Sequence, residues 1–303
     1  MNGIVVVDKP AGCTSHDVVQ RMRRALGQRS VGHAGTLDPL ATGVLVVAVG
    51  EATKLVSHLQ SDDKRYEVSI ALGTETDSLD ADGKVTATAD VPSLDAGDVE
   101  AALQSFIGRH PQKAPSLSAV KVAGTPLHRR VRRGEEVQAP EREVELYEAQ
   151  VLKVSPDALV LRLHCGKGFY VRSLARDLAR ALGTVGHVRS LRRTASGRFS
   201  LARALHGDEL SREAVAERLI PLREACSLLP RATLTERGVA DARHGRPIVA
   251  DAVTDDAWRE ASPQQTLALF GPNGEPVALG RRAGDGIRVV RGFTEPSSDV
   301  VNH

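Results

Sequence analysis

Apolar positions along this chain fall into two kinds of run, continuous and periodic, and together they predict a mixed architecture. Residues 3–8, GIVVVD, are an almost unbroken apolar run closed by the turn DKPAGCTS, as in a buried strand. From Ser15, which the pattern sets as N-cap, Val19, Met22 and Leu26 recur on one helical face until Gly27 ends it. A second buried strand is predicted at GVLVVAVG and a short helix over about Glu51 to Leu59. KRYEVSIALG then alternates, with Tyr66, Val68, Ile70 and Leu72 on one side, as a half-buried strand does. Further on, the spacing predicts a helix over about Asp98 to Ile107, with Val99, Leu103 and Phe106 together, and strands near 142–154 and 158–165. Helices are predicted from about Tyr170 to Leu182 and from about Arg212 to Cys226.

Strands and helices mix here without a regular βαβ beat, which predicts an α+β sheet rather than a doubly wound one. After SLLPRATL the texture changes: short strand-like pieces alternate with turns such as GRP, GPNGEP and GDG. A chain of 303 residues is long for one domain. We therefore divide it into residues 1–228 and a small, mostly β domain at 229–303, ending in a loose tail, TEPSSDVVNH.

Composition narrows the class. Hydrophobic content of 41% and charged content of 26% are those of a globular protein, and no apolar run approaches the ~20 residues of a membrane helix. Cys13, Cys165 and Cys226 show neither zinc spacing nor a disulfide framework, and no signal peptide precedes the first strand, so a cytoplasmic location is expected. The net charge of +2 hides an uneven distribution. Acids crowd residues 75–100, whereas bases collect at Arg21, Arg23, Arg24 and Arg29, at Lys121, Arg129, Arg130, Arg132 and Arg133, and at Arg189, Arg192, Arg193 and Arg198. Three basic clusters beside loops suggest a phosphate-contacting surface.

The stretch GHAGTLDPLATG, residues 32–43, concentrates the chemistry. It lacks the lysine of a phosphate loop, and it leads from a helix into a strand, the reverse of a dinucleotide fingerprint. His33 and Asp38 are too few for a metal site. A glycosidase would need a second carboxylate that sequence alone cannot place. What stands out is one carboxylate, Asp38, stiffened by Pro39 and surrounded by Gly32, Gly35 and Gly43. Such a loop suits a lone nucleophile or base, and equally a structural turn with a capping aspartate.

The whole pattern separates the two. GHAGTLDPLATGVL resembles the catalytic motif of the bacterial tRNA pseudouridine-55 synthases, the TruB family. DKPAGCTSHDVV is similar to that family's opening motif, KRYE to its base-stacking strand and GTETDSLDADG to the turn that follows. APSLSAVKVAGTPLHRRVRRGEEV, GKGFYVRSLARDLARALG and HVRSLRRTASGRF continue the match in the family's order, over residues 4–200. The C-terminal β region is similar in size and position to the family's PUA RNA-binding module. The resemblance implies a pseudouridine-synthase fold: a mixed, mostly antiparallel sheet flanked by helices and loops, with the PUA-like domain after it.

It also implies the site. Asp38 matches the nucleophilic aspartate, Tyr66 the tyrosine that stacks on the flipped uracil, and Arg172 the arginine that pairs with the aspartate. Tyr170 and Leu191 match positions lining the uridine pocket, and His33 a histidine supporting the everted nucleotide. The family pattern departs at Leu117 and His128, where tyrosines are usual, and at Phe169. The implied activity is isomerisation of the T-loop uridine at position 55 of tRNA, with no cofactor or metal, no guide RNA and no obligate protein partner. The chemistry suits these residue types. The nucleotide must be flipped out to be reached, and a flipped pyrimidine stacks on a flat ring for ~1–3 kcal/mol. An arginine opposes the tendency of burial to neutralise the carboxylate. Two rivals stand beside this reading: the catalytic subunit of the RNA-guided synthase, which shares the G-T-L-D-P core, and a non-catalytic RNA-binding protein.

Overall fold

A computed structural model describes residues 1–60, 63–116, 121–122, 125–126 and 140–294, with 121–122 and 125–126 described by backbone alone. Leu117, His128, Arg129, Arg130, Arg132, Arg133, the Lys121 side chain and the tail from residue 295 lie outside the described residues.

Along the chain come β1 (Gly3–Lys9), β2 (Val31–Ala34), β3 (Thr42–Val49) and β4 (Lys64–Leu72). The hairpin of β5 (Thr74–Thr76) and β6 (Val85–Thr88) follows, then β7 (Gly108–Lys113) and the ribbon of β8 (Lys121–Val122) and β9 (Thr125–Pro126). Next are β10 (Glu141–Ser155), β11 (Ala158–Cys165), β12 (Gly186–Ser196), β13 (Phe199–Ser200), β14 (Leu205–His206) and β15 (Ile220–Pro221). The main sheet has the order β14-β1-β3-β12-β4-β11-β10-β7, with β2 beside β3, β13 beside β12 and β15 beside β1. Its pairings are antiparallel except β1–β14 and β3–β12.

The β3–β12 junction positions the site. It joins the two halves of the sheet only through Arg192 opposite Thr42 and Arg193 opposite Gly43. Gly43 has φ +100°, and a Cβ there would lie 2.2 Å from the Arg193 carbonyl oxygen, so only glycine allows this approach. The loop carrying Asp38 enters β3 at this seam.

Apolar residues of β1, β3, β4 and β11 (Val5, Leu45, Val68, Leu161) face the helices Ser15–Leu26, Ala96–Gln104 and Val171–Ala181 in the largest core cluster. A second sheet, β16 (Arg231–Thr233), β17 (Ile248–Val249), β18 (Leu267–Phe270), β19 (Pro276–Ala283) and β20 (Gly286–Gly292), runs in the order β16-β18-β19-β20-β17. It has its own core around Trp258. It also shares a cluster with the first part of the chain, where Ala268, Phe270 and Leu279 pack with Ile4, Val6 and Val46. The α+β architecture expected from the sequence is the one observed.

Local differences from the expected elements are these. Thr14, not Ser15, caps the first helix, accepting from the Asp17 amide while the Asp17 side chain accepts from the Thr14 amide. Residues 32–34 belong to strand β2 rather than to a loop. The helix expected over 212–226 is two, Arg212–Arg218 and Leu222–Cys226, because Pro221 cannot continue one and joins β15 instead. Strand β12, central in the sheet, was hidden by its three arginines, and the polar edge strand β7 follows a helix that begins and ends earlier than expected, at Ala96–Gln104. Among the described residues no helix is long and apolar enough to cross a membrane. All three cysteines are unpaired and buried, and burial pushes the Cys165 and Cys226 thiols up to about 12.

Candidate active site

Asp38 is fixed from three sides before any partner touches its carboxylate. Ser15, buried at the start of the first helix, donates from its hydroxyl to the Leu37 carbonyl (3.1 Å) and accepts from the Leu37 amide (2.8 Å). Lys9 is fully buried, and its ammonium donates to the carbonyls of Cys13 (2.7 Å), Pro10 (2.8 Å) and Pro39 (3.2 Å). Burial lowers its pKa, and the nearby Cys13 and Asp38 oppose that lowering. The Pro39 carbonyl also accepts from the Gly12 amide (3.0 Å), so the opening turn and the aspartate loop form one unit.

Arg193 closes the third side. It is 1% exposed, and its guanidinium donates to the carbonyls of Val44 (2.7 Å), Gly35 (3.0 Å) and Thr36 (3.4 Å). The sequence placed it among phosphate-contacting bases, and here the structure corrects that expectation. β12 alternates inward and outward, and its inward register at Arg193 meets Tyr66 across the β4–β12 pairing. Arg192 is likewise occupied, in a two-bond pair with Asp8 at 3.0 and 2.6 Å. Arg21 pairs with Asp208 and Arg23 donates to the Val31 carbonyl, which leaves Arg24, Arg29 and Arg198 as exposed members of the described clusters besides Arg189, itself paired with Asp157.

The carboxylate itself meets Arg172 at 3.0 Å. Arg172 stands in the first turn of the helix Val171–Ala181, whose Leu174, Ala175, Leu178 and Ala179 are buried. Its guanidinium also donates to the Ser78 carbonyl (2.8 Å) and lies 3.4 Å from Asp80, whose other oxygen accepts from the Ser78 hydroxyl (2.5 Å). Leu79, between them, is the only non-glycine with positive φ (63°) among the described residues. A leucine in that conformation is strained. The turn thereby presents the Ser78 carbonyl and the Asp80 carboxylate to one guanidinium. Ser15, Asp80 and Gln112 are site residues that sequence reasoning missed. A serine, an aspartate in an acidic turn and a glutamine in a polar strand carry no local signal of such roles.

Burial raises the Asp38 pKa above its usual value, Arg172 opposes that, and Asp80 adds to it. The side chain nevertheless keeps 39% of its surface, so it is crowded by protein yet reachable. Tyr66, 7% exposed on β4, is likewise raised by burial, with the Arg193 guanidinium drawing it down and Asp38 within electrostatic reach. Its phenol is protonated at neutral pH.

The remaining expected residues lie on elements that adjoin this group in the chain or the sheet. His33 lies half-buried on β2; its Nδ1 is shielded from solvent without a hydrogen-bond partner, and burial, then Arg193, lower its pKa, so the ring is neutral. Leu191 is buried in the main cluster with Tyr66, Phe169 and Val171, and its carbonyl meets the Thr42 hydroxyl at 3.5 Å. Tyr170 precedes the Arg172 helix, and the buried Gln112 holds its backbone at both ends: amide to Oε1 (2.8 Å) and Nε2 to carbonyl (3.1 Å). Among the described residues no group of three or more His, Cys, Asp or Glu is placed to hold a metal ion. The arrangement can hold one reachable carboxylate against a guanidinium, beside a phenol ring.

Comparison with known proteins bears on what passes through this site. The chain matches the TruB family pseudouridylate synthase N-terminal domain over residues 23–171 and the tRNA pseudouridylate synthase B C-terminal domain over residues 172–226. It is 40% identical over 277 residues to tRNA pseudouridine synthase B of Syntrophotalea carbinolica, covering 90% of each chain. To the protein of the same name from Xanthomonas axonopodis pv. citri it is 41% identical over 291 residues, covering 94% of this chain and 92% of that one. Among solved structures, the Cbf5-Nop10-Gar1 complex aligns with a TM-score of 0.72 at 25% identity, over 96% of this chain and 85% of that one.

Proposed function

The chain belongs to the TruB family of pseudouridylate synthases, and on that premise we propose that it isomerises uridine 55 in the T-loop of tRNA to pseudouridine. The observation that carries this reading is the Asp38–Arg172 contact at 3.0 Å, with Arg172 anchored in turn on Ser78 and Asp80. Isomerisation breaks the N-glycosidic bond, turns the uracil and rejoins it through carbon. A stacked loop hides those atoms, so the nucleotide flips out and its base stacks on Tyr66, with Tyr170 and Leu191 lining the uridine pocket and His33 supporting the everted nucleotide.

Asp38 is the nucleophile in this reading. A lone carboxylate has three routes: addition to the uracil ring, attack on the anomeric carbon, or removal of a ribose proton. All three begin from ionised Asp38, and Arg172 preserves that ion against burial. Residues 1–228 form the catalytic part and residues 229–303 a PUA-like RNA-binding part. The separate second sheet, which begins at Arg231, and the end of the family match at residue 226 support this division. The protein acts in the cytoplasm, where its tRNA substrate is, without guide RNA or partner proteins.

The test is to incubate an unmodified tRNA transcript with the purified protein and map pseudouridine. Modification at position 55 with no added RNA or protein is expected. Dependence on a guide RNA or partner would assign the chain to the RNA-guided class, and tight binding without turnover would make it an RNA-binding protein.

A further inference from the structure

Arg281 sits where ordinary charge placement would avoid an arginine. β19 and β20 pair with Arg281 directly opposite Arg288, and with Leu279 opposite Arg291. Opposed residues of an antiparallel pair share a face, and like charges there repel. Leu279 identifies the face, because it packs with Ile4, Val6 and Val46 of the main sheet's shared cluster. The three arginines therefore lie on the side of the second sheet that meets the first.

Across that seam stands His58, on the helix Val56–Leu59, whose imidazole is held below its usual pKa by burial and then by the Arg281 charge. Arg281 is half-buried, and its Nε has neither solvent contact nor a hydrogen-bond partner. Among the described residues the side chains of Arg281, Arg288 and Arg291 form no ion pair or hydrogen bond. A cleft of about 500 Å³ continues the surface past His58 to the exposed Arg198 and to Asp63, whose carboxylate is already bonded to His164. Among the described residues no carboxylate pairs with these three arginines, and the Glu51 carboxylate at the β20 end of the seam is taken by Lys54 and the Thr294 amide, so the group stays repulsive. Arg288 and Arg291 alone span ~10 Å of strand, more than one phosphate fills. A chain of phosphates fits better than a mononucleotide.

The seam is also continuous with the catalytic loop. The helix Val56–Leu59 packs on β2, where Val56 lies 3.8 Å from the Cβ position of Gly32, and β2 leads through His33 to Asp38. We propose that Arg281, Arg288 and Arg291, with His58 and Arg198 at one end, form a track for the phosphodiester backbone of tRNA lying across the seam between the two sheets. This rests on tRNA being the substrate. Bound phosphates relieve the repulsion, which makes the track selective for polyanions rather than for single anions.

The experiment compares the wild-type protein with the double variant Arg281→Gln/Arg288→Gln and a charge-matched control, Arg237→Gln/Arg259→Gln. Arg237 and Arg259 are occupied by Asp251, Asp256 and Asp285. The probe is an unmodified full-length tRNA transcript, titrated from low to moderate salt, with single-turnover rates measured at saturating RNA. In the double variant Kd rises about tenfold and the log–log salt slope becomes shallower by about 1.4–1.8, the release expected for two contacts. The single-turnover rate stays within twofold of wild type. The melting temperature of the free double variant is unchanged or higher, because the repulsion is gone.

A Kd and slope that match the control overturn the proposal, as does a lower melting temperature with an unchanged slope, which would make the arginines structural. If the wild-type protein forms no pseudouridine yet the double variant loses the salt-dependent binding, the proposed activity fails and the track stands. If pseudouridine forms and the double variant binds normally, the track fails and the activity stands.

Discussion

Replacing Arg193 with Met tests whether a buried cation, rather than the loop's own residues, holds the Asp38 carboxylate in place. The change removes a strong donor from the carbonyls of Val44 (2.7 Å) and Gly35 (3.0 Å) and a weaker one from Thr36 (3.4 Å). Hydrogen bonds from a charged donor are worth about 1.5–3 kcal/mol, so the two strong ones amount to about 3–6 kcal/mol. Met fills similar volume and removes the desolvation cost of a buried guanidinium, which returns part of that. We set the net loss at about 3 kcal/mol. The effect on rate is larger than stability alone requires. Gly35 and Thr36 lie just before Asp38, and displacing a reacting group by ~1 Å costs about a hundredfold. Arg193→Lys restores the charge but not a planar fork spanning carbonyls on both sides, so it recovers stability in part and leaves the rate at least about tenfold low. Urea unfolding gives the first quantity. Single-turnover pseudouridine formation, measured at a temperature where each variant is fully folded, gives the second. A Met variant that is folded and within threefold of the wild-type rate would refute the bracing role.

Asp38→Asn abolishes isomerisation while leaving tRNA affinity nearly intact, and it raises the melting temperature at pH 7. The folded pKa of Asp38 lies above its unfolded value, so ionised Asp38 costs stability that sets in as pH rises from the unfolded pKa through the folded one, and the gain from Asn shrinks when the melts are repeated below that window. Asp80→Asn removes a like charge that raises the Asp38 pKa, so the acid limb of the single-turnover pH profile moves to lower pH; an upward shift would contradict the network. Tyr66→Phe, which deprives Arg193 of a facing hydroxyl, slows turnover about tenfold, and Tyr66→Leu slows it further by the loss of ~1–3 kcal/mol of stacking; near-normal rates in both would make Tyr66 ordinary core. Arg192→Gln breaks the Asp8 pair and lowers stability by about 1 kcal/mol, yet leaves the salt slope of tRNA binding unchanged.

Much of the site could be read from local pattern, and the parts that could not share a cause. The strands β1, β3 and β4 and the helix after Thr14 carry clean apolar periods, and the glycines and proline around Asp38 advertise a constrained loop. The bracing groups act over long separations: Arg193 reaches Val44 across 149 residues, and Arg172 reaches Ser78 across 94. No window of sequence contains both ends of such a contact. Ser15 fits an N-cap in composition, but its hydroxyl serves the Leu37 backbone while Thr14 does the capping.

Arginine is the residue most easily misread in this chain, because its charge says nothing about where that charge is used. Arg172, Arg192 and Arg193 lie within one short span of basic sequence and on neighbouring elements, and each is already committed inside the fold: to Asp38 and Asp80, to Asp8, and to three carbonyls. Cations so engaged have little charge left to offer a phosphate, and moving them would disturb the Asp38 loop. On the proposed reading, affinity for RNA comes from arginines that have no partner among the described residues, such as Arg281 and Arg288, whose like charges face each other and cost the free protein stability instead of adding it. The two uses impose opposite signatures. Removing a committed arginine lowers the melting temperature and leaves the salt slope alone, whereas removing an uncommitted one flattens the slope and leaves the melting temperature alone or raises it.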